Sequence, residues 1–455
     1  MEQLLESVGR RRLMWHAILW VALGTFIGWL CTFFAGASAG VFDPSTINSG
    51  DTAWMLASAA LVMIMTPAVG FFYGGMVSSK NVVSVIKQSF VILALVSVQW
   101  VVVGYSLAFG PDIGGVTGNL GWIGLRGVGF APNPDYAATI PHLVFMIFQA
   151  MFAIITPALI IGAFVGRIRF SALVVFTLLW TTFVYDPVAH WVWGIGGWIH
   201  NMGALDFAGG TVVHMTAGFS ALAAAILVGK RLEPTQNPAV SANNVPFVIL
   251  GAALLWFGWF GFNAGSALAA GALAANAFVV TNTAAAAAAL AWVALSYAEN
   301  KKPSAMAAAT GAVCGLVAIT PASGFVGPVA SIAIGILGGV VTYVAVHLRT
   351  SRIKIDDTLD VWAAHGVGGL TGAILTGVFA EKAINSAGNN GALFGNPHQL
   401  LVQIVAVAAT GIYAFVASYI ILKLVSMWTP LRVSAEDEEQ GLDTSVHGEK
   451  GYRFQ

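Results

Sequence analysis

Long apolar runs separated by short polar loops set the pattern of the chain. Runs of about 20 residues, the length a helix needs to cross a hydrocarbon core, fall near 53–77, 85–109, 142–166, 171–194, 207–229, 246–266, 274–297, 304–320, 325–347, 359–380 and 399–427. The pattern predicts an all-α integral membrane protein with eleven transmembrane helices. Basic residues gather in alternate loops: Lys80 and Lys87, Arg167 and Arg169, Lys230 and Arg231, Lys301 and Lys302, then Arg349, Arg352 and Lys354, with Lys423 and Arg432 at the close of the last run. The other loops hold only Arg126 and Lys382. Because cytoplasmic loops collect lysine and arginine, the first run is expected to travel inward. The mature N-terminus then lies outside a cell (inner or plasma) membrane, and the tail, residues 429–455, lies in the cytoplasm.

Ahead of these runs stand Arg10, Arg11 and Arg12, an apolar stretch from Leu13 to Phe34, and the small-residue sequence "AGASAG". A basic flank, an apolar run and an A-x-A site describe a secretory signal peptide over residues 1–39. The stretch is also long enough to remain as an extra N-terminal helix. Either outcome leaves the membrane domain, residues 51–428, in the same orientation.

Composition supports lipid as the solvent: 58% of residues are hydrophobic and only 9% charged, against about a quarter charged in a soluble globule. Zero formal net charge and the absence of a basic block give no footprint for a nucleic-acid partner. Cys31 and Cys314 both lie in apolar stretches and cannot build a disulfide framework or a metal cluster. No cofactor is expected. The few charged or ionisable side chains inside the apolar runs become the functional candidates.

Two such groups repeat. "DFAGGTVVH" places Asp206 eight residues before His214, and "DTLDVWAAH" places Asp357 eight residues before His365. The first segment runs inward and the second outward, so at about 1.5 Å per residue both histidines lie roughly 12 Å from opposite surfaces of a core about 30 Å thick. Both reach the midplane. Equal spacing on oppositely directed helices is what an inverted repeat of helices 1–5 and 6–10 gives, with helix 11 appended, and such repeats hold the substrate path at their interface. Gly218 then matches Gly369, and Ser220 matches Thr371. Two adjacent imidazoles in a low-dielectric site share one proton and titrate as a unit, so His214 and His365 are expected to form a proton relay.

At the outer ends of other helices whose direction is now fixed stand Trp193 and Phe262, with Ser266 beside Phe262, and Phe152 lies ten residues into the inward-running third helix. The Trp193 face attracts a small cation and the Ser266 hydroxyl accepts a hydrogen bond. Phe152 over Phe262 would close the path below. A permanent cation crossing such a section pays several kcal/mol of desolvation, whereas ammonium can leave a proton behind and cross as ammonia.

The stretches "TPAVGFFYGGMVSSKNVVS", "FVYDPVAHWVWG", "GALDFAGGTVVH", "WFGFNAGSA", "AAHGVGG" and "GLDTSVHGEKGY" together resemble the ammonium transporter branch of the ammonium transporter/Rhesus family, over about residues 51 to 455. The resemblance implies a homotrimer with one conduction path per protomer, carrying ammonium or ammonia and accepting methylammonium. It implies that Trp193, Ser266 and Phe152 form an external recruitment site, that Phe152 and Phe262 form a gate, and that His214 and His365 are twin pore histidines. Asp206 matches an acid held near the recruitment site; a helix N-cap is the other reading, and a cap is the stronger reading for Asp357. Asp186, before Pro187, departs from the expected pattern and stands either as a cap of the broken helix or as a water ligand.

The tail residues Gly441, Leu442, Asp443, His447, Gly448, Glu449 and Tyr452 match a regulatory C-terminal segment of the family, which docks under a neighbouring protomer and answers to PII-type signalling proteins. Trp193 favours ammonium recruitment over a Rhesus-type passive ammonia gas channel. An ammonium sensor is the competing class, and a metal enzyme is disfavoured because no carboxylate or thiol trio surrounds the histidines. The chain is therefore read as a transporter and not an enzyme.

Overall fold

The computed structural model describes residues 43–232 and 242–452, together with Val21, Gly24 and Thr25. The signal peptide or extra helix expected over residues 1–39 lies outside the described residues, apart from those three positions. Among the described residues, nine helical segments are long and apolar enough to cross a membrane. They are α1 (Ser49–Met76), α2 (Val82–Phe109), α3 (His142–Ala163), α4 (Phe170–Asn201), α5 (Gly210–Val228), α6 (Val245–Ala264), α7 (Ala272–Asn300), α9 (Pro328–Ile353) and α11 (His398–Trp428). Between them lie the shorter apolar helix α8 (Ala305–Ile319) and α10, formed by the consecutive segments Trp362–Val367 and Gly368–Phe379. Each of the eleven apolar runs coincides with one of these helices. The protein is a helical, multi-pass membrane protein.

Small residues let the helices approach closely, as expected where lipid removes the hydrophobic drive between them. Gly251 of α6 faces the backbone of Phe72 on α1, and a Cβ there would stand 2.4 Å from the Phe72 nitrogen. The alanine run of α7 buries Ala284, Ala285 and Ala288 against α8 and α9. At the centre, Gly218 of α5 meets Gly366 of α10 so tightly that a Cβ would lie 2.1 Å from the Gly366 nitrogen.

These two crossing helices run in opposite directions. Leu205, just before α5, and Ala380, just after α10, share one buried cluster with Phe325. At the other face, α10 begins beside Arg167, whose guanidinium donates to Thr358 Oγ1 at 2.5 Å. The inverted relation extends to local structure: six-residue π-helical segments, Gly210–Met215 and Trp362–Val367, open α5 and α10 and continue into α-helix. A five-residue one, Phe260–Ala264, ends α6. Such wide turns collect at functional sites, and these three carry His214, His365 and Phe262.

In α4 the break at Pro187 is absorbed by a π-helical segment, Thr181–Tyr185. Proline has no N–H to bond Phe183, and the Tyr413 hydroxyl donates to the Phe183 carbonyl at 2.6 Å instead. The α2–α3 connection carries a short antiparallel hairpin, β1 (Asp112–Ile113) with β2 (Thr117–Gly118). It is tied to α4 by His190, whose ring nitrogens bond Ala108 O at 3.0 Å and Asp112 Oδ1 at 2.9 Å.

Candidate functional site

A single line of side chains runs from one face of the molecule to its centre. Trp193 packs edge-on against Phe152, with ring centroids 5.8 Å apart at 87°. Phe152 in turn lies over Phe262 at 4.2 Å, and Phe262 stacks on His214 at 5.9 Å. The two phenylalanines are 1% and 0% exposed, so the path is closed at that level.

Asp206 fixes the upper part of this line without facing it. Its carboxylate accepts the backbone N–H groups of Gly209, Gly210 and Thr211 at 2.8, 2.7 and 2.7 Å, and also the Thr211 hydroxyl. These are the orphan donors at the start of α5. The Asp206 carbonyl then accepts the Trp193 indole N–H at 2.9 Å. Asp357 does the matching work at the start of α10, where it is fully buried and accepts the Trp362 N–H at 2.7 Å. Both acids are helix caps, consistent with the opposed dipoles of the two helices.

The helices so capped bring His214 and His365 together. Their Nδ1 atoms lie 3.3 Å apart, with the rings stacked at 25°. A hydrogen bond between two imidazole nitrogens needs a proton on one and a lone pair on the other. The neutral pair therefore holds opposite tautomers, one with Nδ1–H and one with Nε2–H. A proton taken up at one Nε2 and released from the other reverses both tautomers without charging both rings.

His214 is clamped from the side by Trp259, stacked at 5.3 Å and itself anchored by its indole N–H on Thr320 Oγ1 at 2.9 Å. His214 Nε2 has no hydrogen-bond partner in the protein. It borders an apolar chamber of about 10 Å³ lined by Val213, Leu255, Trp259, Phe262 and Val313, room for about one water-sized molecule. Phe72, Tyr73, Val313 and His365 border both this chamber and a much larger vestibule of about 830 Å³ at the tail face. Among the described residues, no three His, Cys, Asp or Glu side chains gather as a metal site.

The model of the Ammonium Transporter Family matches residues 53–452. The chain belongs to this family. It is 51% identical to the ammonium transporter of Bacillus subtilis strain 168 over 407 residues, covering 90% of this chain and 99% of that one. The crystal structure of Candida albicans Mep2 superposes with a TM-score of 0.83 at 34% identity, covering 89% and 90% of the two chains. A solved structure titled Sensor Amt Protein gives 0.79 at 31% identity, covering 87% and 98%. Ammonium transport, not enzymatic catalysis, is the activity of the family.

Within this Ammonium Transporter Family member, Ser266 lies on α6's C-terminal extension, one turn beyond Phe262, and its hydroxyl donates to the Phe262 carbonyl at 2.8 Å. Its lone pairs stay available as acceptors. Asp186 lies away from this line. It is fully buried, accepts from Gln99 Nε2 at 2.8 Å and leaves Oδ1 without a partner in the protein. Its side chain thus bonds α2 rather than capping the segment at Pro187. Trp259 and Thr320 were not singled out by sequence, although Trp259, Phe262 and Ser266 stand at i, i+3 and i+7 on one helical face.

The tail of this family member packs against its own chain. Asn81 gives α2 no side-chain cap, and Asp443 supplies one from a distance, accepting Ser84 N at 2.7 Å and Val83 N at 3.0 Å. Gly441 adopts φ +95° and lies so close to Lys80 that a Cβ would stand 2.4 Å from the lysine's, a place only glycine fills cheaply. Leu442 is buried; its N–H donates to Asn81 Oδ1 at 2.9 Å. His447 bonds Lys87 Nζ at 3.0 Å and Ser84 Oγ at 3.2 Å. Gly448 turns the chain at φ +68°, Glu449 N returns to Asp443 O at 2.9 Å, and Tyr452 donates to Asn243 Oδ1 at 2.7 Å.

Proposed function

We propose that this chain takes up ammonium by recruiting the cation at Trp193 and Ser266, removing one proton, and conducting ammonia past His214 and His365 while the proton travels separately. The observation that supports this reading most is the Nδ1 to Nδ1 contact of 3.3 Å between two repeat-related histidines directly beneath the closed phenylalanine pair. The Trp193 face and the Ser266 lone pairs suit a small N–H donor cation, methylammonium included. The Phe152–Phe262 closure and the apolar chamber below it then oppose any ion that cannot shed its charge.

In this reading Trp193 and Ser266 face the outside and the tail lies in the cytoplasm of a cell (inner or plasma) membrane, after the excess of lysine and arginine at the tail face. The functional unit is a homotrimer of protomers with eleven crossings each, residues 429–455 are a regulatory segment, and a PII-type signalling protein is its partner. The test is a supported-membrane electrode carrying proteoliposomes under an ammonium gradient, with potassium as the control ion. Ammonium current without potassium current, abolished or made potassium-permeable by His214→Ala, is the expected result. Uptake of ammonia without any current would point to a passive gas channel.

A sensing role is the second reading. It draws on the likeness to the structure titled Sensor Amt Protein and on the close docking of the tail. Rescue of growth at limiting ammonium by the expressed chain distinguishes transport from sensing alone.

A further inference from the structure

The vestibule at the tail face holds a cluster that the transport reading does not use. Glu299 stands near the end of α7, and Tyr343 and His347 stand one turn apart on α9. The Glu299 carboxylate accepts the Tyr343 hydroxyl on Oε2 at 2.5 Å and His347 Nε2 on Oε1 at 3.0 Å. The other nitrogen, His347 Nδ1, faces the Tyr343 carbonyl at 3.2 Å. Both ring nitrogens thus point at acceptors that carry no proton, and satisfying both requires the doubly protonated imidazolium.

Aromatic faces complete the cluster. Tyr343 stacks on His347 at 4.7 Å and meets Trp292 edge-on at 5.0 Å. All four side chains line the vestibule of about 830 Å³ that also reaches His365. Glu299 and His347 are each about half exposed to it. Several other charged groups on that wall are paired: Arg349 with Asp360 at 2.6 Å, Arg231 with Asp356 at 2.7 Å, and Glu438 with Arg432 at 2.7 Å. Lys80, Lys230, Lys354 and Glu439 also border the vestibule; on a wall that carries these lysines, the Glu299 carboxylate and the aromatic faces beside it give a small cation a favourable place to rest.

The inverted repeat gives the cluster its place. Trp193 on α4 precedes His214 by 21 residues, and Tyr343 on α9, the matching helix of the second half, precedes His365 by 22. Each half of the molecule therefore carries an aromatic ring at the mouth of the path, nearly the same distance in sequence before its histidine. On the Trp193 side the polar partner is a hydroxyl. On the Tyr343 side it is a carboxylate already paired with a cationic ring.

We infer that Glu299, His347 and Tyr343 form a binding and protonation site for the emerging ammonia, a tail-face counterpart of the Trp193 site. This inference rests on the reading that the chain conducts ammonia. The lone pair of ammonia takes the proton from His347 Nε2: a new N–H bond forms on ammonia as the imidazolium N–H bond breaks. The products are ammonium beside the Glu299 carboxylate and a neutral His347, which regains a proton from hydronium in the vestibule, the form in which the proton passed separately along His214 and His365 arrives there. One cation is exchanged for another next to the same carboxylate, so the local charge is unchanged. The aromatic faces of Tyr343 and Trp292 retain the cation long enough for that exchange.

The test compares ammonium applied to each face separately, using inside-out and right-side-out vesicles of the full chain on a supported-membrane electrode. Glu299→Gln and His347→Gln are each expected to raise the half-saturating ammonium concentration at the tail face about fivefold, the weight of one half-exposed ion pair, with the Trp193 face unchanged. Glu299→Asp should retain the wild-type value. His347→Gln should also weaken the dependence of half-saturation on tail-side pH below that of the wild type, leaving the part set by the ammonium/ammonia equilibrium and by the His214–His365 pair, a change that loss of packing alone would not produce. Unchanged half-saturation at the tail face in Glu299→Gln, or an equal rise at both faces, would overturn the inference. Absence of both ammonium current and ammonia uptake in the wild-type chain would instead overturn the transport reading on which it stands.

Discussion

The indole N–H of Trp193 donates to the backbone carbonyl of Asp206 at 2.9 Å, while the Asp206 side chain caps α5. One residue therefore sets both the ring at the mouth of the path and the helix that carries His214. The acid acts on the path through position, and its carboxylate is saturated by protein donors.

Asp206→Ala is accordingly expected to lower the thermal midpoint of the detergent-solubilised protein and to abolish ammonium current together. Losing a buried cap that serves several donors costs about 2 kcal/mol or more. Lost current with an unchanged melting curve would show that Asp206 touches the substrate directly.

Trp193→Leu keeps an apolar side chain of moderate bulk but removes the π face and the N–H donor. A cation–π contact is worth about 0.5–2 kcal/mol, so half-saturating ammonium should rise several-fold with maximal current less affected. A fall in maximal current at unchanged half-saturation would place Trp193 in gating and not in recruitment.

On the proposed mechanism His214 and His365 act as a unit, since a relay broken at either ring is broken altogether. His214→Gln and His365→Gln should each suppress the charge-carrying current to the same degree as the double variant. Additive losses would mean that the two rings contribute independently, and the shared hydrogen bond would then carry no proton.

The tail supplies a pH-dependent prediction. Burial, with Lys87 beside it, lowers the His447 pKa from its ordinary range near 6.5, while Asp443 and Glu449 pull the other way. A group with a lowered pKa in the docked state binds fewer protons there than when released, so docking gains stability as pH rises. The contribution of His447 is present above about pH 6.5 and is lost as pH falls below it. Burial raises the Asp443 pKa, which opposes this trend only in the more acid carboxylate range. Protease nicking between residues 429 and 452 should increase from pH 7.5 to pH 5.5, and His447→Gln should flatten that change. Nicking that is independent of pH in the wild type would remove His447 from the docking balance.

Much of this arrangement was legible before the structure. The eleven apolar runs fall on the helices because lipid forces every crossing segment to be long and apolar. The repeated aspartate-to-histidine spacing located the central pair because cap and histidine lie on the same helix in each half. What the sequence hid involves the turns and the distant partners. A 3.6-residue pattern does not reveal the wide turns at Gly210–Met215 and Trp362–Val367, which add room without changing composition. Trp259 owes its place against His214 to Thr320, 61 residues away, and Asp186 finds Gln99 87 residues away on α2. Contacts of that separation leave no local trace. The tail residues were legible as a group, but their own-chain dock on Asn81 and Ser84 was not, because Asp443 completes a cap whose helix begins some 360 residues earlier.

The contact of Gly218 with Gly366 has a mechanical consequence. With backbone against backbone at the crossing of α5 and α10, the separation of the two histidines is gauged by peptide groups, the stiffest parts of the chain. Bilayers of different thickness are accommodated in part by tilting helices, and a backbone-to-backbone crossing leaves little slack for its spacing to change when they tilt. On the proposed mechanism the selective step is thereby insulated from the lipid around it, so the same ion preference should persist in short- and long-chain membranes even where the overall rate changes.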